Sequence, residues 1–557
     1  MKLFIKKYSN YWSLIILFLI FFLALALRLW DLGTVPKGLQ IDELNAGYQG
    51  YKIFKTGSDI FGDFLPFYVN RIGDFRPAGI FYLSGLSAFI LGISNFAVRF
   101  PAALIGALTI FPVFLLAKVI SKNKRISAIA AFLIAISPWH IVASRATSES
   151  VVALFLTIFG AYFFLRCIKE NNSFLCFLST IFFLGSYFFY HTPRFFIPIF
   201  LFLILIYIKS TFINVSSKKI NISKRYLYII FTVVSLTSII IFFTPFGTGR
   251  LNQISVFQNQ DVKNKIHALQ DGDRGNIFLA RVLHNKIVVT GKTIVDQYLS
   301  YYSTEFLFIH GGLPSRYAVD DSGLFYYMEF PLLLAGLYFI IRKKDPLFFI
   351  PIFWLIIGPL AASITLEDTP NIQRAILMLP SLQIIEAYGV FYGLQKFKPV
   401  IRNIIIFLGL LFIAFNSIYF LQSYFVHISS NAAFARNDGS EELFLFLNKL
   451  QDKYDEIYVP SHDDLPLYFF YHNKIVSVKS YGSINDYQKR VQAGKYIFVP
   501  EDCPEKILTD YLKHTTKKIL FADYPICQPD PTEFKVVTII HRLDDTQAYI
   551  LRERISQ

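Results

Sequence analysis

Charge is scarce in this chain of 557 residues, where Asp, Glu, Lys and Arg make up 17% against the roughly 25% of a soluble domain. Residues classed as hydrophobic account for 54% and aromatics for 17%. An ordinary soluble fold is thereby excluded. Internal repeats and low-complexity tracts are absent, and no small-residue cleavage site follows the first apolar run. That run, behind Lys2, Lys6 and Lys7, is expected to be a retained first span. There are four cysteines. Cys167 and Cys176 flank a short basic loop and read as ordinary near-membrane residues. Cys503 and Cys527 share the polar C-terminal region, where they could pair, although two cysteines do not prove a bridge.

What the chain has instead is long apolar runs, such as 12–29, 226–244 and 403–420. Runs of about 18 or more apolar residues mark transmembrane helices. The net charge of +15 lies mainly between these runs, where positive-inside retention and anionic headgroups account for it better than nucleic acid does. The candidate spans are 12–30, 97–119, 126–143, 148–168, 174–190, 195–208, 226–245, 325–341, 346–364, 374–394 and 404–423. Basic loops at 118–125, 166–169, 209–225, 342–344 and 396–402 fall on alternate sides and are expected inside. Ile80–Ile93 would cover only about 21 Å, so it is expected to be interfacial or re-entrant.

The resulting fold class is a polytopic α-helical membrane protein of about eleven spans with a C-terminal extracytoplasmic α/β domain. Residues 1–425 form the membrane domain, with a first outer loop at 31–78 and a long outer loop at 246–324 over the membrane face. Residues 430–557 form the α/β domain. In that domain 455–459, 475–478, 496–499, 518–521, 535–540 and 548–551 read as strands, and 441–450, 487–493 and 504–513 as helices.

Four polar clusters fall on the side expected to be outside. The first outer loop runs Pro36-Lys-Gly-Leu-Gln-Ile-Asp42-Glu43, with Gly57-Ser-Asp59, Arg71 and Arg76-Pro-Ala-Gly after it. Adjacent acids there also suit a helix start. The second cluster holds His140, Arg145 and Glu149, with Arg145 and Glu149 expected one turn apart on one helix face. The third is Tyr190-His191-Thr-Pro-Arg194, and the fourth has Glu367, Asp368 and Arg374. Charged groups at span ends usually face a cavity or water, although interfacial snorkelling produces the same pattern.

In order and placement these motifs, with the Gly92-to-Arg99-Phe-Pro stretch after them, resemble the GT-C superfamily of membrane glycosyltransferases. The closest likeness is to the branch of protein O-mannosyltransferases and lipid A aminoarabinose transferases. It is specific over about 36–120, looser over 137–195, and mainly architectural beyond. The resemblance implies inverting transfer from a polyprenyl-phosphate sugar to an acceptor hydroxyl on the extracytoplasmic face of the cell membrane. It gives Asp42 the role of base and Glu43 that of companion acid. Arg76, Arg194 and Arg71 would bind the donor phosphate. His140, Arg145, Glu149, Tyr190, His191, Glu367, Asp368 and Arg374 would line the substrate pocket.

These residue types suit the chemistry: a carboxylate for the hydroxyl proton, and cations for a leaving phosphate. The chain departs from the branch where its Lys-Pro-Pro-Leu motif becomes Arg76-Pro77-Ala78-Gly79. Charge is kept, but a planar fork replaces a point charge.

No cofactor is required by the sequence, and a divalent metal stays open. Expected partners are the lipid-linked donor, a protein, lipid or polysaccharide acceptor, and membrane lipids, with no nucleic acid. The rival reading is a polytopic transporter or lipid-linked saccharide flippase. It calls for mid-membrane charge and a repeat, whereas the spans are nearly free of charge at their centres. An oligosaccharyltransferase would carry a Trp-Trp-Asp signature, which is absent. Asp271-Gly-Asp273 reads as a turn, and His462-Asp463-Asp464 as a loop and helix cap with no matching ligand set. Asn214-Val-Ser and Asn221-Ile-Ser match the glycosylation pattern but lie in a loop expected inside.

Overall fold

A computed structural model of the chain describes residues 2–71, 74–212, 221–245, 247, 253–273, 275–343, 346–475 and 491–555. It divides into two compact units, one of Met1–Trp30 with Ala102–Ser423, the other of Asp31–Pro101 with Tyr424–Gln557.

The first unit is helical. Every expected span is helical in its described part, but fewer helices qualify as crossings. Among the described residues five are long and apolar enough, or six if the bent pair Lys124–Ile136 and Pro138–Ser144 is one span. Ser13–Leu29, Gly79–Leu91, Ser173–Tyr187, Pro193–Tyr207 and Phe349–Ser363 are shorter apolar helices of 10–17 residues among the described residues. Gly79–Leu91, at 13 residues, is among the short ones.

The 56° bend at Ser137–Pro138 has a local cause and a distant remedy. Proline has no N–H and leaves preceding carbonyls without helical partners. Arg28, fully buried, donates from Nη1 to Ala135 O at 2.9 Å and from Nη2 to Ile134 O at 3.2 Å. One arginine thus satisfies the break and ties the first span to it. Close approach elsewhere depends on glycine: a Cβ on Gly336 would lie 1.9 Å from Ile385 O, and one on Gly389 2.1 Å from Leu332 O. Charge does enter one helix interior. Glu386 is fully buried and its carboxyl meets that of Glu329.

The second unit joins the first outer loop to the C-terminal domain. Its sheet has strands β3 (Glu456–Pro460), β4 (Val491–Ala493), β5 (Tyr496–Val499), β6 (Ile519–Asp523), β7 (Phe534–His541) and β8 (Gln547–Arg554). A hairpin of β1 (Tyr68–Arg71) and β2 (Asp74–Pro77) belongs to the outer loop. The large sheet runs β4-β5-β3-β6-β8-β7, with β3 parallel to β5 and β6 and the other pairs antiparallel. The central strands are unbroken apolar runs because both faces are covered. One face packs on Leu508, Leu512 and Phe534. The other buries Leu39, Leu44 and Tyr48 of residues 31–78, with Val98 of the Asn95–Leu108 helix, against Leu443, Phe469 and Phe498. The outer loop therefore shares its core with the C-terminal domain and groups with it rather than with the helices.

Of the expected strands, 476–478 lie outside the described residues, as do 487–490 of an expected helix. Val491–Ala493 is a strand rather than a helix, pairing with β5 at its edge. Cys503 is bonded to Cys527, and Cys167 to Cys176, so the second pair is not ordinary thiols.

Ile41–Thr56 carries the acid pair and is the helix on which the unit turns. Gln40 caps it by accepting from Asp42 N at 3.3 Å, and Glu43 accepts from Gln40 N at 3.1 Å, closing a capping box. Its partner crosses at backbone contact, since a Cβ on Gly50 would lie 2.1 Å from Phe81 O.

Glu43 is fully buried and bridges two arginines. Arg99 donates to it at 2.8 and 3.1 Å, and Arg436 at 2.7 Å. Arg99 also donates to Leu32 O at 3.1 Å, Pro36 O at 2.9 Å and Gly38 O. Burial alone would raise the Glu43 carboxyl, but the two guanidiniums and these hydrogen bonds hold it below the usual carboxylate range.

Two outcomes follow. Glu43→Gln leaves two buried cations without their anion, so the unit should lose about 3–5 kcal/mol, measured by chemical denaturation of the whole chain followed at the sheet. Asp523 is pushed up to about 7, by burial first and Glu505 second, against the pull of Arg552. A raised carboxyl contributes fully below its unfolded value, 3.8, and that contribution disappears as pH climbs to about 7. Asp523→Asn should flatten the fall in stability across that window, read as thermal midpoint against pH relative to the unaltered chain.

Candidate active site

Asp42 follows the cap by two residues, on the rim of the helix start, and its carboxylate is 21% exposed where that of Glu43 is closed. Adjacent residues on a helix point about 100° apart, which lets one acid face the core and the other the site. The β1–β2 hairpin supplies the opposing charges. Val69 pairs with Arg76 and Arg71 with Asp74, which brings both arginines to one end of the helix. Arg71 donates to Asp42 Oδ1. Arg76 Nη2 lies 4.0 Å from the same oxygen, while its Nε donates to Asp74 Oδ2 at 2.6 Å. The two guanidiniums are 20% and 18% exposed, so each keeps a solvent face. One half-open carboxylate between two half-open guanidiniums can take a proton and hold an anion at once.

A buried polar chain supports the hairpin from behind. Asn45 donates to Asp464 Oδ2 at 2.8 Å and accepts from Gln49 Nε2 at 3.0 Å; Gln49 also donates to Asn70 O at 3.2 Å. Asp464 stands at the N-cap of the Leu465–His472 helix, as expected, but makes no side-chain cap hydrogen bond there and braces Asn45 instead. Asp59, in the Gly57-Ser-Asp59 motif, accepts from Phe61 N and Asp63 N at 2.9 and 3.0 Å. Burial raises its carboxyl, and its contact is with its own loop.

The other expected residues lie in the helical unit. His140 and Arg145 are fully buried, and both contact the end of the first span. His140 Nδ1 accepts from Arg28 at 2.8 Å. Arg145 donates to Arg28 O at 3.0 Å and Trp30 O at 2.7 Å, where a cation suits a helix C-terminus. Arg145 and Glu149 are not on one helix face. Arg145 ends the Pro138–Ser144 helix, Glu149 starts the next, and Thr147 between them has φ 49°.

Tyr190 is buried, and Arg194 pairs with His191 Nδ1 at 3.0 Å and with Tyr187 O at 2.7 Å. Arg374 donates to Glu367 through its carboxylate and, at 2.6 Å, its carbonyl. Asp368 adopts φ 53° at the turn beside them. Gln373, not singled out from the sequence, accepts from Ser148 and Ser150 and so joins the second cluster to the fourth. Trp139 makes the same link, donating to Ile372 O at 3.0 Å. Arg99, Arg436 and Asn45 have no role in the sequence reading, and only Arg99 carries a local signal, in the Arg-Phe-Pro motif. Asp271 and Gly272 end the Gln260–Gly272 helix rather than forming a separate turn, and Asp273 just after them accepts from His284 at 2.8 Å.

Residues 76–242 match the family model described as dolichyl-phosphate-mannose-protein mannosyltransferase. No curated protein matches. Among solved structures, ArnT from Cupriavidus metallidurans bound to undecaprenyl phosphate is similar over 99% of this chain and 98% of its own, with 10% identity and a TM-score of 0.53. The Archaeoglobus fulgidus oligosaccharyltransferase AglB, in complex with an inhibitory peptide and a dolichol-phosphate, aligns with 92% of this chain and 70% of its own, at 14% identity and a TM-score of 0.49. The apo form of the Archaeoglobus fulgidus oligosaccharyltransferase aligns at 15% identity and a TM-score of 0.48 over 83% of this chain, which spans 64% of that enzyme's length. These likenesses show a fold shared with ArnT and, over residues 76–242, a similarity to the dolichyl-phosphate-mannose-protein mannosyltransferase family.

Proposed function

We propose that this protein transfers a sugar from a polyprenyl-phosphate donor to an acceptor hydroxyl, with inversion, on the extracytoplasmic face of the cell membrane. The observation that carries the proposal is the half-open Asp42 carboxylate held between Arg71 and Arg76. The family description, with its dolichyl-phosphate sugar, and the ArnT fold bound to undecaprenyl phosphate support the choice of donor.

The steps use groups already in place. Asp42 accepts the acceptor's O–H proton as the new bond forms at the anomeric carbon. The anomeric carbon–oxygen bond breaks, and its electron pair leaves with the polyprenyl phosphate. Developing positive charge on the sugar resembles that in glycoside hydrolysis. The phosphate needs cations rather than an acid, and Arg71 and Arg76 supply them. Arg71 pairs with Asp42. An arriving phosphate, with more charge and more acceptor oxygens, draws the guanidiniums to itself and frees the carboxylate. Glu43 acts as a positioning residue, since its buried carboxylate already bridges Arg99 and Arg436. Asp42 faces guanidiniums, so no step is routed through a metal ion.

The flippase reading gains one observation, the buried Glu329–Glu386 pair in the helical unit. It leaves the Asp42 constellation without a role.

Transfer of radiolabelled sugar from synthetic polyprenyl-phosphate sugars into membranes separates the two. Asp42→Asn should lower the rate about 10²–10⁴-fold in a chain that folds normally. Unchanged transfer in that variant contradicts the assignment of the base. Donor lipid that crosses the bilayer with no sugar transferred favours the flippase.

A further inference from the structure

The segment between the Asn221–Phe242 and Glu329–Lys343 helices contains a helix, Lys286–Ser300, that is apolar on two opposite faces. One face is accounted for: Val289, 4% exposed, packs with Val256, Val262 and Ile266 of the same segment. The other is open. Ile287, Val295 and Leu299 are 84%, 55% and 58% exposed. With Gly291 they form one row at i, i+4 spacing. The short Ile277–Val282 helix just before extends the patch with Ile277 and Phe278, 65% and 70% exposed.

Two features say what covers this face. The first is location. Tyr298 and Tyr302 donate to Ile356 O and Leu355 O, each at 2.9 Å. Those carbonyls end the apolar Phe349–Ile357 helix, and tyrosines bridging the end of an apolar helix mark the membrane boundary. At about 22 Å the Lys286–Ser300 helix is too short to cross a hydrocarbon core of about 30 Å. The second is charge. Arg281, Lys286 and Lys292 are exposed among the apolar residues, against one exposed acid, Asp296. Apolar side chains flanked by long basic ones suit the headgroup boundary, where the stems lie in the apolar layer and the charges reach phosphate.

We propose that this face is a bilayer-docking surface. The two helices lie in the membrane plane, with the Ile287–Val295–Leu299 row in the headgroup–acyl boundary and the three basic residues on anionic phospholipid headgroups. The docked helix is tied to a candidate site cluster, because Tyr301 accepts from Asn371 N at 3.0 Å and Ser255 bridges Thr365 beside Glu367 and Arg374. Lipid contact would thus steady the rim that carries Glu367 and Arg374.

The test does not depend on any transfer activity. All four cysteines are paired, so Ile287→Cys or Val295→Cys adds a single thiol for a nitroxide. Lys265→Cys, on the polar Gln260–Gly272 helix, is the exposed reference. The whole chain is reconstituted in phosphatidylcholine vesicles with and without phosphatidylglycerol. Labels at 287 and 295 should relax with oxygen and be shielded from a nickel chelate, the reverse of the label at 265. Adding Lys292→Glu should make the 287 label more accessible to nickel in the phosphatidylglycerol vesicles. Labels at 287 and 295 as open to nickel as the one at 265 would overturn the proposal. So would shielding from both reagents, which would indicate a protein partner such as a second copy.

Discussion

Everything in the second unit depends on one carboxylate that two guanidiniums share in a place closed to water. Moving Glu43 out of water is costly, and so is moving Arg99 and Arg436. The arrangement holds because the carboxylate's oxygens are filled by two cations and a backbone N–H, and because Arg99 spends its remaining donors on three carbonyls of the loop. Those carbonyls, of Leu32, Pro36 and Gly38, lie just before the helix that carries the acids. One ion cluster therefore fixes the entry to that helix, its first turn, and the segment that begins the C-terminal domain. Asp42 inherits its position from this cluster and meets the hairpin.

The two units solve the same problem differently. In the second, buried charge is neutralised by charge across long sequence separations. In the helical unit, buried Arg28 and Arg145 are spent on carbonyls that the Pro138 break and the end of the first span leave unpaired. A guanidinium with five donors suits that use because it can serve several acceptors at once.

This contrast explains what was legible in the chain. The strands of the C-terminal sheet were visible as apolar runs, because strands covered on both faces need them. Asp42 is singled out by the order of motifs it stands in, because an acid pair alone suits a helix start just as well. The split between Asp42 and Glu43 was hidden, since it depends on helix phase and on Arg436, 393 residues away. The bracing role of Asp464 was hidden as well, since its partner, Asn45, is 419 residues away. Arg145 and Glu149 were placed on one helix face because Thr147, a β-branched residue at φ 49°, carries no turn signal.

The claim that the C-terminal domain holds the acid-bearing helix through Arg436 is tested most directly by hydrogen exchange on the intact chain with Arg436→Met. That change keeps an apolar stem and removes one of the two guanidiniums. The account predicts faster deuterium uptake in Ile41–Gly50 and in the hairpin from Tyr68 to Pro77. Uptake in the Glu149–Glu170 helix of the other unit should stay as it was. Uptake in Ile41–Gly50 and the hairpin equal to that of the unaltered chain would contradict it.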